Sequence, residues 1–368
     1  MRISRVDTFV YDLNYVHGEY VMSGGRVIRR LASTVVRVTT DEGIVGWGEV
    51  CPLGPAYLPA HAEGARAALR ELGPAVVGLD PTNIGAVNDA MDAALRGHAY
   101  AKSPVDVACW DILGQAAGLP VAALLGGVRQ ERFPLYVAVP LGSAEEMADF
   151  VEARRAEGVH HFQLKIGGDP LEDAARVRAV ADGLRDEDRL VADANGGWRL
   201  RDALLAARLM EGVSRVYLEQ PCPTIAECRS VRAVTSLPLV LDEVVLDVPS
   251  LLEAADIGGL AAINLKISKV GGLTKARAIR DLAEGLGLAM TVEDTWGGDL
   301  VTASVAHLAA TVRPDALFTV SFMNDWTAEH IAGHAPRSDG GMGRAPSGPG
   351  LGIQVNVEAL GEPLFSAP

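Results

Sequence analysis

Positive charge is in short supply in this 368-residue chain: 33 Lys and Arg stand against 47 Asp and Glu, a formal net charge of −14. That sign argues against a nucleic-acid partner, which wants a basic surface. It leaves a small substrate open, because local fields decide that. No apolar run approaches the roughly 18 residues of a membrane span, and Met1–Asp7 mixes charges into a strand-like alternation, unlike a signal peptide. Cysteine is sparse. Cys51, Cys109, Cys222 and Cys228 show no C-x-x-C spacing and read as reduced thiols of a cytoplasmic protein. No Gly-x-Ser-x-Gly context exists for a serine nucleophile. No glycine fingerprint for a dinucleotide follows any strand-like run. None of the eight histidines follows such a run with an acid partner, so a histidine base is not supported, and His307 falls inside a helical stretch as a structural residue. Aromatic residues make up only 5% of the chain.

What is present divides in two. Residues 1–13 and 33–51 alternate as strands, and Asp41-Glu-Gly43 marks a hairpin turn. Between the first strands, Val21–Arg26 reads as a mobile glycine-bearing loop. Helical stretches follow near 60–73, 82–96 and 102–117, the last with Ser103 as cap and Pro104 in the first turn. Strands first and helices later describe an α+β domain. From about residue 132 the rhythm becomes strand then helix, with helices expected at Ala144–Glu157, Pro170–Leu184, Leu200–Met210, Ile225–Val234, Val248–Ala255, Leu273–Gly285 and Asp299–Ala310. Eight strand candidates, from Leu135 to Val320, predict a (β/α) barrel with its site at the strands' C-terminal ends. The expected division is 1–128, 129–324, and a Gly/Pro-rich segment 325–368 packing back on the first domain.

The strand ends carry the chemistry. Lys165, Asp193, Glu219, Asp242 and Lys266 each close a short apolar run, at intervals of 28, 26, 23 and 24 residues. Each interval is about one strand, one helix and two loops, so all five ends converge on one face. Three clustered carboxylates repel one another unless a cation sits among them, and hard oxygen donors with open positions suit Mg²⁺. One such acid alone is as well explained as a helix cap; three in successive units are not. Asn195 lies within reach of the same site, while Glu243 is expected to point elsewhere. Lys165 and Lys266 end the second and sixth strands and stand across the mouth from each other. Burial and a divalent cation are expected to lower their pKa values, freeing a neutral amine to act as base. The bland alternative is a salt bridge to the site's acids. Lys269 is expected to miss the pocket, and Gln163, on the strand face of Lys165, to touch substrate. After the seventh strand, Asp294 is the candidate acceptor for a substrate ammonium, with Thr295 beside it and Trp296 as a pocket wall.

Gly46-Trp-Gly-Glu49, Asp106-Val-Ala-Cys-Trp-Asp111 with Leu124-Leu-Gly-Gly127, Asp193-Ala-Asn195, Glu219-Gln-Pro221, Asp242-Glu243 and Lys266-Ile-Ser-Lys-Val-Gly-Gly272 together resemble the enolase superfamily, in its mandelate racemase/muconate lactonizing enzyme branch, over nearly the whole chain. The resemblance implies a (β/α)₇β barrel, a modified TIM barrel, under an α+β capping domain, and a homo-oligomer. It implies Mg²⁺, with Mn²⁺ able to substitute, on Asp193, Glu219 and Asp242, and Lys165 with Lys266 as the acid/base pair. The shared step is removal of the proton α to a carboxylate, giving an enediolate. Gln163 replaces the first lysine of the Lys-x-Lys pair common in the family, and the histidine–aspartate dyad is missing. Both departures turn the reading away from mandelate and sugar acids. Trp47–Pro55 with Tyr57, and Glu293–Asp299, resemble members acting on proline-type acids. The implied activity is dehydration of cis-3-hydroxy-L-proline to Δ¹-pyrroline-2-carboxylate; the alternative is 2-epimerisation of a proline betaine. The scarcity of aromatics favours the dehydration, whereas Tyr57, Trp296 and Phe322 are the side chains that a quaternary nitrogen would want.

Overall fold

The computed structural model describes residues 1–368. Ile3–Asn14 runs antiparallel to Arg30–Thr40, with Val6 opposite Val38 and Val10 opposite Thr34. Val45–Val50 joins the other side of Arg30–Thr40, and the turn between them is closed by Gly43 at φ +84°, a conformation that glycine adopts without strain. The C-terminal strand Phe365–Ala367 completes the sheet against Val6–Thr8.

Helices Ala62–Val76, Ile84–Ala94 and Ala99–Ala117 cover this sheet. The third begins earlier than the sequence predicts. His98, not Ser103, is its N-cap, and the His98 carbonyl accepts from the Ala101 and Lys102 amides. Pro104 therefore lies inside the helix and removes one backbone bond. Continuous burial of Tyr100–Ile112 outweighs that loss. The contact is backbone against backbone: a Cβ on Gly48 would sit 2.0 Å from the Pro104 carbonyl oxygen, and one on Gly46 2.2 Å from that of Ala108. This is the physical content of the Gly46-Trp-Gly-Glu49 motif.

The stretch expected as a mobile loop forms a short two-stranded ribbon. Tyr20–Val21 pairs with Val27–Ile28 around a turn at Ser23–Gly25, and Tyr20 and Met22 are buried beside Trp296 and Trp326 over the barrel mouth.

Eight parallel strands follow in chain order: Tyr136–Val139, His161–Lys165, Arg189–Asp193, Val216–Glu219, Leu239–Leu241, Leu260–Lys266, Ala289–Glu293 and Leu317–Val320. A parallel bridge between Leu135 and Val320 closes the ring. The intervening helices are Ala144–Ala156, Pro170–Asp182, Leu200–Leu209, Ile225–Arg232, Val248–Ala255, Leu273–Gly285 and Asp299–Ala310, with a one-turn helix, Ile267–Val270, after the sixth strand. The eighth strand leads into a 3₁₀ turn, Met323–Trp326, rather than a barrel helix. The architecture is a (β/α)₇β barrel with a separate N-terminal sheet domain. One hydrophobic cluster runs through both, from Ile3 and Val36 to Val292 and Leu300. No helix is long and apolar enough to cross a membrane, and all four cysteines are buried and free.

Candidate active site at the barrel mouth

Register brings the strand ends to one level. Lys165 pairs with Asp193, Asp193 with Glu219, and Lys266 with Glu293. Asp242 follows the fifth strand by one residue. Lys165, Asp193, Glu219, Asp242, Lys266 and Glu293 are all at most 5% exposed. Six ionisable groups this deep persist only by satisfying one another or a ligand.

They are wired in two halves. The Lys165 amine donates to Asp193 Oδ2 and, over 2.9 Å, to Gln163 Oε1. Gln163 Nε2 in turn donates to Glu219 Oε1 over 3.0 Å, and Asn264 Nδ2 reaches the same oxygen over 2.8 Å. Gln163 thus joins one amine to the central acid. On the far side Lys266 Nζ donates to Asp242 Oδ2 and to the Tyr57 hydroxyl, and the Tyr57 hydroxyl donates to Asp242 Oδ2 over 2.7 Å. Tyr57 arrives from the loop after the first sheet, so the N-terminal domain touches the chemistry directly.

The structure refines several sequence expectations. Burial pulls the Lys165 and Lys266 amines down, as expected, while the acids themselves, Asp193 for one and Asp242 for the other, carry both above the usual lysine range; a cation held by those same acids would oppose that pull. Lys269 stays out of the pocket, as expected, and lines the neighbouring cavity, yet it touches a strand-end acid: its amine bonds Asp242 Oδ1 over 2.9 Å and the Asp242 carbonyl over 2.5 Å. The one-turn helix after the sixth strand swings it back, and no periodicity signals four residues. Glu243 does not point away. It accepts Asn195 Nδ2 over 3.0 Å, and burial followed by Asp242 and Asp193 pushes its carboxyl up to about 8. Asn195, at φ +46°, also bonds Asp193 through its own backbone and side-chain amides. Asp294 lines the pocket with Thr295 and Trp296 and also accepts the Ser268 amide and hydroxyl and the Thr295 amide. Thr295 Oγ1 donates to the Cys51 carbonyl over 3.1 Å, tying the seventh-strand loop to the N-terminal domain. Sequence reasoning passed over Glu293, whose Oε2 accepts from the Tyr136 hydroxyl while Oε1 has no hydrogen-bond partner.

The side chains converge closely on a small cavity of about 20 Å³, little more than a single water needs. The few aromatics concentrate there. Tyr20, Tyr57, Tyr136, Trp296 and Trp326 all line it, so their overall scarcity says nothing against a cationic ligand. Phe322 instead packs on Phe133, ring centroids 5.9 Å apart. Trp296 is 1% exposed and its indole N–H is unpartnered.

The acids fit a divalent cation. They are hard oxygen donors on consecutive strands, and Glu219 shows uncompensated repulsion: burial, then Asp193 and Asp242, hold its carboxyl well above the usual range. Asp242 is the exception, because Lys266 and Lys269 overcome burial and hold it below that range. His160, Glu187 and Asp188 also bring ligand atoms within 4.8 Å of one another, but before the second and third strands, at the opposite end of the barrel. There Asp188 already accepts from Arg155 Nε over 2.9 Å and contacts His160 Nδ1 at 2.9 Å. A positively charged guanidinium on a prospective ligand opposes a cation.

A closed parallel barrel whose strand ends present three acids between two lysines, under an α+β domain that contributes a tyrosine, defines an enolase-type enzyme. The chain belongs to the enolase superfamily, in its mandelate racemase/muconate lactonizing enzyme branch: residues 146–360 match the enolase C-terminal domain-like family, and residues 8–126 match the mandelate racemase/muconate lactonizing enzyme N-terminal domain. It is 47% identical over 366 residues to cis-3-hydroxy-L-proline dehydratase of Roseibium aggregatum, covering 99% of each chain. It is 28% identical over 344 residues to N-succinyl-L-Arg/Lys racemase of Bacillus cereus, covering 90% of each. A solved member of the enolase superfamily from Roseovarius nubinhibens ISM, complexed with magnesium, superposes with a TM-score of 0.94 at 37% identity over 100% of this chain and 99% of that one.

Proposed function

We propose that this protein is a divalent-cation-dependent hydro-lyase that converts cis-3-hydroxy-L-proline to Δ¹-pyrroline-2-carboxylate. The observation that carries the reading is the pair of lysine amines lining one pocket from the second and sixth of eight strands, with the acid triad on the strands between. The near-full-length similarity to a dehydratase of that specificity supports it.

Asp193, Glu219 and Asp242 are the residues that would hold Mg²⁺ or Mn²⁺, which offsets the negative charge building on the substrate carboxylate. The protein's own residues do the rest. In cis-3-hydroxyproline the hydroxyl and carboxylate share a ring face, and the α-hydrogen lies on the other. Lys165, as the free amine, takes the α-proton. The electron pair left on Cα forms the Cα–Cβ double bond as the Cβ–O bond breaks. Lys266, as the ammonium, gives its proton to the departing hydroxyl, and water leaves. The enamine acid released tautomerises to the cyclic imine. Gln163 orients the Lys165 amine through its amide oxygen, and Tyr57 holds Lys266. The aromatic pocket, with the Tyr20–Ile28 ribbon over it, excludes water. We read the enzyme as a cytoplasmic homo-oligomer.

The aromatic lining favours a second reading, 2-epimerisation of a proline betaine, since a quaternary nitrogen is attracted to ring faces. The same two amines would then exchange the α-proton between ring faces. Incubation in D₂O with Mg²⁺ and each proline derivative, followed by NMR, separates the two. Loss of cis-3-hydroxy-L-proline with appearance of the imine is the expected result. Deuterium entering a betaine's α-position alone favours the epimerase. No exchange and no product with any derivative sinks both.

A further inference from the structure

We infer that Glu293 is the specificity residue for the substrate's nitrogen: its free carboxylate oxygen accepts an N–H from a ring ammonium, and so selects secondary amines over quaternary betaines. The inference deepens the reading above and rests on it.

Four observations carry it. Glu293 ends the seventh barrel strand, level with Lys266 in the sheet register. It is 1% exposed, yet it lines the pocket. Its Oε2 is fixed by the Tyr136 hydroxyl, which sets the orientation of the carboxylate. Its Oε1 lies 3.5 Å from Lys266 Nζ but makes no hydrogen bond. A buried carboxylate oxygen without a hydrogen bond is costly and is rare in native structures. Asp294, the neighbouring acid, already accepts on both its oxygens, from Ser268 and Thr295, whereas Glu293 Oε1 accepts from no group. Glu293 also stands two strands beyond the acid triad, apart from the oxygens suited to a cation. What Oε1 lacks is a donor, and a substrate with N–H₂⁺ brings one. A quaternary nitrogen brings charge and methyl groups but no hydrogen. The surrounding Tyr20, Tyr136, Trp296 and Trp326 rings and the Glu293 charge attract either cation, and the hydrogen bond to Oε1 supplies the discrimination.

The rival role is positional, with Glu293 serving only to hold Lys266. Glu293→Gln separates the two, read with L-proline and proline betaine as binding probes and cis-3-hydroxy-L-proline as substrate, on the Mg²⁺-loaded enzyme. Loss of a charge-assisted hydrogen bond in a buried site predicts a roughly 10- to 100-fold rise in the L-proline Kd and in KM for the hydroxyproline. The betaine Kd should rise by clearly less, since only Coulomb attraction, and no hydrogen bond, is lost there. Equal losses for both probes, or a fall in kcat with KM unchanged, overturn the inference in favour of the Lys266 role. An unchanged variant overturns it as well. Wild-type enzyme that binds the probes but turns nothing over defeats the proposed reaction, and the ratio of the two Kd values still decides on Glu293. Wild-type enzyme that binds neither probe defeats both. Far-UV circular dichroism and the melting temperature establish that the variant is folded, and Glu293→Asp, which keeps the charge but shortens its reach, should show partial selectivity.

Discussion

Replacing Glu49 with alanine should cost a large share of the protein's stability without touching the strand-end residues. The Glu49 carboxylate is 3% exposed at the seam between the domains. It accepts the Ser33 hydroxyl over 2.7 Å, the Gly298 amide over 2.9 Å, the Tyr11 hydroxyl over 3.0 Å and the Val301 amide over 3.2 Å. The two hydroxyls can rotate toward other acceptors; Ser33 already lies 3.4 Å from the Val50 carbonyl. The two amides cannot, because they belong to the first turn of helix Asp299–Ala310, whose cap position is a glycine without a side chain to offer. Orphaning two buried amides costs about 1–3 kcal/mol each, so the variant should lose about 2–6 kcal/mol of the roughly 5–15 that a domain has. Urea unfolding followed by tryptophan fluorescence measures this directly. Glu49→Gln, which retains one acceptor oxygen, should fall between the two. Since Gly298 follows the loop that carries Trp296, KM should rise in both variants. A loss below about 1 kcal/mol for Glu49→Ala would refute the reasoning, because it would mean that water or a shifted side chain satisfies the seam.

Three other outcomes are expected. Lys165→Ala and Lys266→Ala should each lower kcat by roughly 10²- to 10⁴-fold, the range for loss of a positioned acid or base, with an unchanged fold by circular dichroism; a rate near wild type for either removes that lysine from the mechanism. Chelation by EDTA should abolish turnover, and adding Mg²⁺ back should restore turnover and raise the melting temperature, whereas Asp193→Asn should show no thermal shift with Mg²⁺; activity surviving exhaustive chelation refutes the cation assignment. Burial raises the Asp111 carboxyl from 3.8 to about 6, against the amides of Leu351 and Trp47. The folded state therefore holds this proton more tightly than the unfolded chain. The contribution is complete below pH 3.8 and fades as pH rises through 6. The stability of wild type minus that of Asp111→Asn should fall by roughly 3 kcal/mol across that window and stay flat above it; a difference that rises with pH contradicts the assignment.

The strand-end residues were legible because their period is structural. One unit of strand, helix and loops spaces Lys165, Asp193, Glu219, Asp242 and Lys266, and the closed ring brings those ends together. Applied once more, the same rule reaches Glu293, 27 residues past Lys266. That signal was present and passed over in favour of the adjacent Asp294. The barrel helices were equally legible, several to the residue, because caps such as Ser143, Asp169 and Asp247 mark their starts. Three features had no local signature. Lys269 depends on a single helical turn after a strand. Tyr57 reaches Lys266 across 209 positions of sequence. The crowding of aromatics at the pocket is a matter of placement, which an average over the chain erases.

Two barrel helices begin on glycine, Gly272 before Leu273–Gly285 and Gly298 before Asp299–Ala310. Each takes its missing cap from the other domain: Asp106 Oδ2 accepts the Thr274 amide over 3.0 Å, and Glu49 accepts those of Gly298 and Val301. A Cβ on Gly272 would lie 2.4 Å from Asp106 Oδ2, and one on Gly298 would lie 2.1 Å from the hydroxyl of Tyr11, which itself donates to Glu49, so each glycine leaves room for the acid or its partner. The pairs constrain recombination. A chimera that joins this N-terminal domain to a relative's barrel inherits working helices only if acid and glycine travel together, so successful crossovers should keep Glu49 with Gly298 and Asp106 with Gly272, whatever happens to the strand ends between them.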